Sequence, residues 1–155
     1  MRNPTLESII EIAIMNEQEA YDSYMELCKL VDDKTAKDAL KFLAEEEKQH
    51  KAYLLKYSDG SFRENSLPLN APINYKIAEN MNKPEPRKDI STNDVFLIAA
   101  NKELNAYNFY KSLADIHPEG DVRDMLLRMA GQELKHKEKV EYLYANTAFP
   151  QTAGG

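Results

Sequence analysis

Residues 6–57 can be laid over residues 92–143 at a constant offset of 86 with no gap, and 13 of the 52 pairs are identical. An internal repeat of this kind marks a duplicated unit, and it constrains the fold more tightly than any composition argument. Each copy holds two stretches with helical periodicity: about Pro4 to Val31 and Ala36 to Tyr57, then Thr92 to His117 and Val122 to Ala145. Helices of 22–28 residues span about 33–42 Å at a rise of 1.5 Å per residue, a length typical of a bundle. Candidate caps are Asn3 with Pro4 for the first, Thr35 with Asp38 for the second, Ser91 with Asp94 for the third, and Asp121 with Asp124 for the fourth.

The short links around Asp32-Asp33-Lys34 and Pro118–Asp121 make each pair an antiparallel hairpin. Between the hairpins lie residues 58–91, with Pro68, Pro72, Pro84, Pro86 and one weakly helical piece, Ile73 to Met81. A link that long can travel the length of a bundle. The expected fold is therefore all-α: a four-helix bundle of two antiparallel hairpins, 4–57 and 92–145, joined by a long crossover, 58–91. The bundle domain takes in residues 1–147, and 148–155 read as a frayed tail.

The repeat preserves polar residues in the middle of helices, which packing alone does not ask for. The 4,3 seam of the first helix reads Leu6, Ile10, Ala13, Glu17, Ala20, Tyr24, Leu27, Val31. The second reads Ala36, Leu40, Leu43, Glu47, His50, Leu54, Tyr57. The third carries Glu103 and the fourth Glu133 with His136 at the matching level. Four carboxylates and two imidazoles thus converge on one layer of an otherwise apolar core. A lone buried carboxylate costs several kcal/mol unless paired or bound to a metal. Two divalent cations balance the charge and account for all six groups. The i, i+3 spacing sets Glu47 with His50, and Glu133 with His136, on one helix face. A Glu from each of two helices and a Glu-x-x-His from each of the other two is a di-metal carboxylate ligand set. Iron or manganese suits such mixed donors, and zinc can occupy them by affinity.

Other residues read as ordinary. Tyr24 and Tyr110 lie two turns beyond Glu17 and Glu103, where their hydroxyls can bond the ligand carboxylates; Tyr21 and Tyr107 are the alternative pair. Glu45 and Glu46 align with Gly131 and Gln132 and read as solvated face, as does Glu19. His117, before Pro118, reads as a helix-end residue. Cys28, Met15, Met25, Met125 and Met129 read as core filling.

Composition bounds the rest. With 155 residues, 43% hydrophobic and 30% charged, the chain makes one domain with a real core. A net charge of -6 without a basic cluster argues against nucleic acid as a partner. No apolar window is long enough for a membrane span. Glu7 and Glu11 spoil the first residues as a signal peptide. A single cysteine excludes a disulfide framework and fits a reducing, cytoplasmic setting.

On Glu17, Glu47-Lys48-Gln49-His50, Glu103 and Glu133-Leu134-Lys135-His136 the chain resembles the ferritin-like superfamily, most closely the rubrerythrin group, over both hairpins. The resemblance implies a bundle holding two non-haem iron ions, usually in a homodimer. It implies that the diferrous state reduces hydrogen peroxide or reacts with dioxygen. It implies Glu17, Glu47, His50, Glu103, Glu133 and His136 as the ligands. Full-length rubrerythrins add a rubredoxin domain with two CxxC knuckles; with one cysteine, this chain is expected to take electrons from an external, rubredoxin-type donor. Rubrerythrins also carry an extra Glu three residues after the third-helix ligand. Here that position is Ala106, matching Ala20, so a symmetric site is expected. Ferritin-like iron oxidation and storage is the alternative function, separable by light scattering because a storage cage is many times the mass of one chain. A structural metal is the third reading, in which Glu17→Ala and Glu103→Ala lower stability and the native protein has no peroxide activity.

Overall fold

A computed structural model describes residues 6–58, 77–80, 83–86 and 90–148. Four long helices, α1 (Leu6–Leu30), α2 (Lys34–Ser58), α4 (Thr92–Ile116) and α5 (Asp121–Ala148), and one short helix, α3 (Ile77–Asn80), make up the fold, with no strand among the described residues. α1 packs on α2 and α4 on α5, as the short links between them require.

The seam residues build two apolar clusters. One gathers Tyr24, Leu27, Val31, Leu40, Leu43, Phe96 and Val140. The other gathers Ile10, Ala13, Leu54, Tyr110, Leu126 and Met129. The clusters join the start of α1 to the ends of α2 and α4 and the start of α5. α1 therefore runs with α5 and against α2 and α4. The end of α2 and the start of α4 fall in opposite clusters, so the crossover passes from one end of the bundle to the other. The Glu/His layer lies between the two. Truncating Leu40 or Leu126, each at most 1% exposed, to Ala costs about 2–5 kcal/mol in such a core.

Helix ends follow local chemistry, with two departures from the expected caps. Ser91 accepts from the Asp94 amide at 3.2 Å, as expected for α4. For α2 the cap is Asp33, not Thr35: its carboxylate accepts from the Ala36 amide at 2.9 Å and its carbonyl from Lys37 at 3.0 Å. Asp is as good a cap as Thr, and one sitting two residues earlier lets the helix start sooner. Asp121 is already inside α5, and the Asp124 amide donates to the Gly120 carbonyl at 3.0 Å. Gly120 has φ of 151°, a conformation open to glycine and strained for other residues. His117 ends α4, its Nδ1 2.7 Å from the Leu113 carbonyl. The proposed first cap, Asn3 with Pro4, and residues 149–155 of the proposed tail lie outside the described residues. So do residues 73–76 and 81 of the weakly helical crossover piece, of which 77–80 form α3.

The crossover is tied down by an ionic cluster that sequence reasoning missed. Lys137, fully buried, pairs with Glu141 at 2.9 Å and with Glu79 at 2.7 Å. Glu141 also accepts the Ala78 amide at 2.7 Å, so α3, which packs on α4, is tied to α5 as well. Met15 departs from its expected core role and is 70% exposed. It lies off the α1 seam, on the far side from Glu17. Cys28, Met125 and Met129 are buried as expected. No described helix is long and apolar enough to cross a membrane.

Candidate metal centre

Glu17 comes from α1, Glu47 and His50 from α2, Glu103 from α4, and Glu133 and His136 from α5. The structure brings all six together, none more than 3% exposed. They form two overlapping groups, Glu17, Glu47, His50 and Glu133, and Glu47, Glu103, Glu133 and His136, each with its donor atoms within 4.8 Å of one another. Glu47 and Glu133 belong to both groups, so each would be within reach of both ions. Glu17 and Glu103 each belong to one.

The two hairpins interlock through these side chains. His50 Nδ1 lies 2.9 Å from Glu133 and 3.7 Å from Glu17 and Glu47. His136 Nδ1 lies 3.4 Å from Glu47 and from Glu103. The imidazoles stack with centroids 5.3 Å apart and planes inclined by 16°. Tyr24 donates to Glu103 at 2.7 Å and Tyr110 to Glu17 at 2.6 Å. Each tyrosine thus bonds the glutamate of the opposite hairpin, not the one on its own helix. Tyr21 and Tyr107 are half-buried and pack against the apolar clusters.

Protons counter the charge of the layer. For Glu47, burial and the charges of Glu103 and Glu17 push the carboxyl up to about 8. Burial and the charges of Glu47, Glu103 and Glu17 push Glu133 well above the usual range. The terminal carboxyls go the other way. Burial raises Glu103, but the hydrogen bond with the Glu133 carboxyl, the charge of His136 and the Tyr24 hydroxyl outweigh it and hold it near 2. Burial likewise opposes ionisation of Glu17, yet the hydrogen bond with the Glu47 carboxyl, then His50 and Tyr110, bring it below its ordinary value. Burial disfavours the imidazolium of His50, but Glu17 and Glu47 raise it to about 10. His136 is raised well above its ordinary value, Glu103 overcoming burial. These shifts favour protons on Glu47, Glu133, His50 and His136 and leave Glu17 and Glu103 the more acidic carboxyls, which lowers the net negative charge of the metal-free layer.

Several donor atoms remain unsatisfied. Glu17 Oε2, Glu47 Oε1, Glu103 Oε2, Glu133 Oε2 and His136 Nδ1 are buried with no hydrogen-bond partner among the described residues. Buried polar atoms left without a partner are costly, and these converge on the two groups above. Carboxylate oxygens with one imidazole nitrogen per group fit a pair of divalent first-row ions.

Beside the layer is a cavity of about 40 Å³, lined by Glu17, Tyr24, Glu47, Glu103, Tyr110 and Glu133, with Ala20 and Ala106 at its wall. Asn16, Lys102 and Phe109 complete it; in the repeat Asn16 pairs with Lys102, so the cavity is lopsided where symmetry was expected. Burial pushes the Lys102 ammonium down, assisted by Lys83. A second departure is Glu46. Read as solvated, its carboxylate is 26% exposed and reaches within 3.7 Å of His136 Nε2. The signal was present as the mismatch Glu46/Gln132, which counts against a role only if the site is symmetric.

A four-helix bundle with a mid-core layer of four glutamates and two histidines is the ferritin-like class. Within that class the sequence matches the Rubrerythrin family over residues 1–58 and 94–151, the two halves of the repeat. The chain belongs to the rubrerythrin family. No curated protein and no solved structure shows a significant match to it.

Proposed function

We propose that the chain is a non-haem di-iron oxidoreductase that admits hydrogen peroxide or dioxygen to the cavity and reduces it with electrons from an external, rubredoxin-type donor. Glu17, Glu47, His50 and Glu133 would hold one ion, and Glu47, Glu103, Glu133 and His136 the other. The paired donor groups carry the reading: Glu47 and Glu133 fall in both, so two ions held there would be close enough to act on one small molecule, and the cavity beside Tyr24 and Tyr110 is only about 40 Å³. A ferrous pair held there would supply the two electrons that take one hydrogen peroxide and two protons to two waters, leaving two ferric ions. The chain's own residues hold the frame for this. Tyr24 and Tyr110 fix the outer glutamates, and Ala20 and Ala106 leave space beside them.

These 155 residues hold one cysteine, Cys28, too few for an iron–thiolate donor centre of their own. A cytoplasmic setting and a homodimer belong to the same proposal. Light scattering distinguishes a dimer from a storage cage. The decisive test is anaerobic loading with ferrous iron followed by stopped-flow mixing with peroxide. The expected result is two irons bound per chain and one peroxide consumed per two irons, faster than by free ferrous iron. Failure to bind two irons, or oxidation no faster than in free solution, removes the proposal.

A further inference from the structure

The two halves of the layer are matched in their glutamates and histidines but not in what stands behind the histidines. Both imidazoles turn Nδ1 toward the carboxylates, which leaves Nε2 on the outer side. Behind His136 is Glu46, with Oε2 3.7 Å from Nε2. That is an ion-pair distance, just beyond a hydrogen bond, and a small rotation of a partly exposed side chain closes it. Phe42 lies edge-on to the His136 ring, centroids 6.2 Å apart, and Lys139 sits 3.4 Å over the Phe42 ring, so the outer side of this histidine is covered. Behind His50 the situation differs: its Nε2 is buried and has no hydrogen-bond partner among the described residues. Glu46 also approaches His50, but the His136 nitrogen is the nearer. In the repeat, the counterpart of Glu46 is Gln132 and that of Phe42 is Arg128.

A metal-ligating imidazole is strengthened when its other nitrogen donates to a carboxylate: the tautomer is fixed, the ring is held and the ligating nitrogen becomes more basic. Ligation through Nδ1 requires the proton on Nε2. At His136 that proton faces an anion; at His50 it is buried without an acceptor, at a cost. We propose that Glu46 is a positioning residue for His136, and that it makes the two metal positions unequal, so that the position formed by Glu103 and His136 fills before the one formed by Glu17 and His50. This rests on the dinuclear reading above.

Titration of the metal-free chain with Co²⁺ tests it. The native chain should fill in two steps separated by about tenfold or more. Glu46→Gln should weaken the tighter step by about 10–100-fold, the usual effect of losing such a carboxylate, and bring the two steps together. The position is assigned by combination. In a Glu17→Ala background, Glu46→Gln should weaken the remaining site by the same factor; in a Glu103→Ala background it should leave the remaining site unchanged. A general loss of negative charge would weaken both backgrounds equally and would overturn the proposal. Two equal steps in the native chain, or constants unmoved by Glu46→Gln, overturn it while leaving the dinuclear centre intact. No cobalt uptake at all removes the centre itself, and the inference with it.

Discussion

Tyr24 and Tyr110 are each 1% exposed, and each hydroxyl has an ionised acceptor from the other hairpin. A hydrogen bond to a charged group contributes about 1.5–3 kcal/mol, and a phenylalanine in its place leaves no cavity. Tyr24→Phe should therefore lower the stability of the metal-free protein by about that amount in urea unfolding, with the fold retained. Because the Tyr24 hydroxyl helps hold Glu103 ionised, the same variant should raise the pKa of that carboxyl. Unchanged stability would mean that water replaces the hydroxyl as donor. At this scale the sequence was legible where chemistry is repeated. A carboxylate in an apolar seam has no cheap reason to be there, and its recurrence 86 residues later removes coincidence. The same logic hid Glu46, since a role confined to one half leaves no echo in the other. It also could not say that the tyrosines reach across the bundle, because sequence spacing orders residues along a helix and not between helices.

At the scale of elements, the seams of the long helices were readable because the 4,3 period is set by helix geometry itself. Their starts were less so: Asp33 and Thr35 are both good caps, and only the geometry of the link decides between them. The crossover was least readable. Besides the packing of Ala78 in the apolar core and of α3 on α4, what secures α3 is the buried Lys137, held by Glu141 and Glu79. Breaking a buried pair by removing one partner costs about 3–5 kcal/mol, whereas replacing the whole set by apolar groups is often nearly neutral. Lys137→Met should thus be strongly destabilising, and adding Glu141→Leu should recover part of the loss, since the buried charge goes but the Ala78 amide loses its acceptor. The Ala78 amide bonds Glu141 at 2.7 Å, so it reports on the clamp directly. Its hydrogen exchange should speed up in Lys137→Met before global unfolding does. Equal protection in both proteins would show that α3 is held by packing alone.

For the molecule as a whole, the polar layer sets a tension between folding and metal binding that pH should expose. The His50 imidazolium is raised from 6.5 to about 10, so its contribution to stability is fully present below pH 6.5 and is lost as pH rises through about 10. The Glu47 carboxyl is raised from 4.5 to about 8, so the metal-free fold also loses stability as that group ionises between those values. Glu103, held near 2, acts in the opposite sense: its contribution is present above 4.5 and is lost as pH falls through about 2. The metal-free protein should accordingly melt at a higher temperature at pH 6 than at pH 9. Divalent ions ask for the opposite, since carboxylates and neutral imidazoles must be freed of protons before they ligate. Loading two ions at neutral pH should expel one proton each from Glu47, Glu133, His50 and His136, the groups whose pKa values are raised. Calorimetric titration in buffers of different ionisation enthalpy counts those protons. About four per pair of ions is the expected result, and the stabilisation conferred by metal should grow from pH 6 to pH 9 as the metal-free form weakens. Release of two protons or fewer would mean that Glu47 and Glu133 are already ionised in the metal-free layer, and that something other than protons then offsets four buried carboxylates.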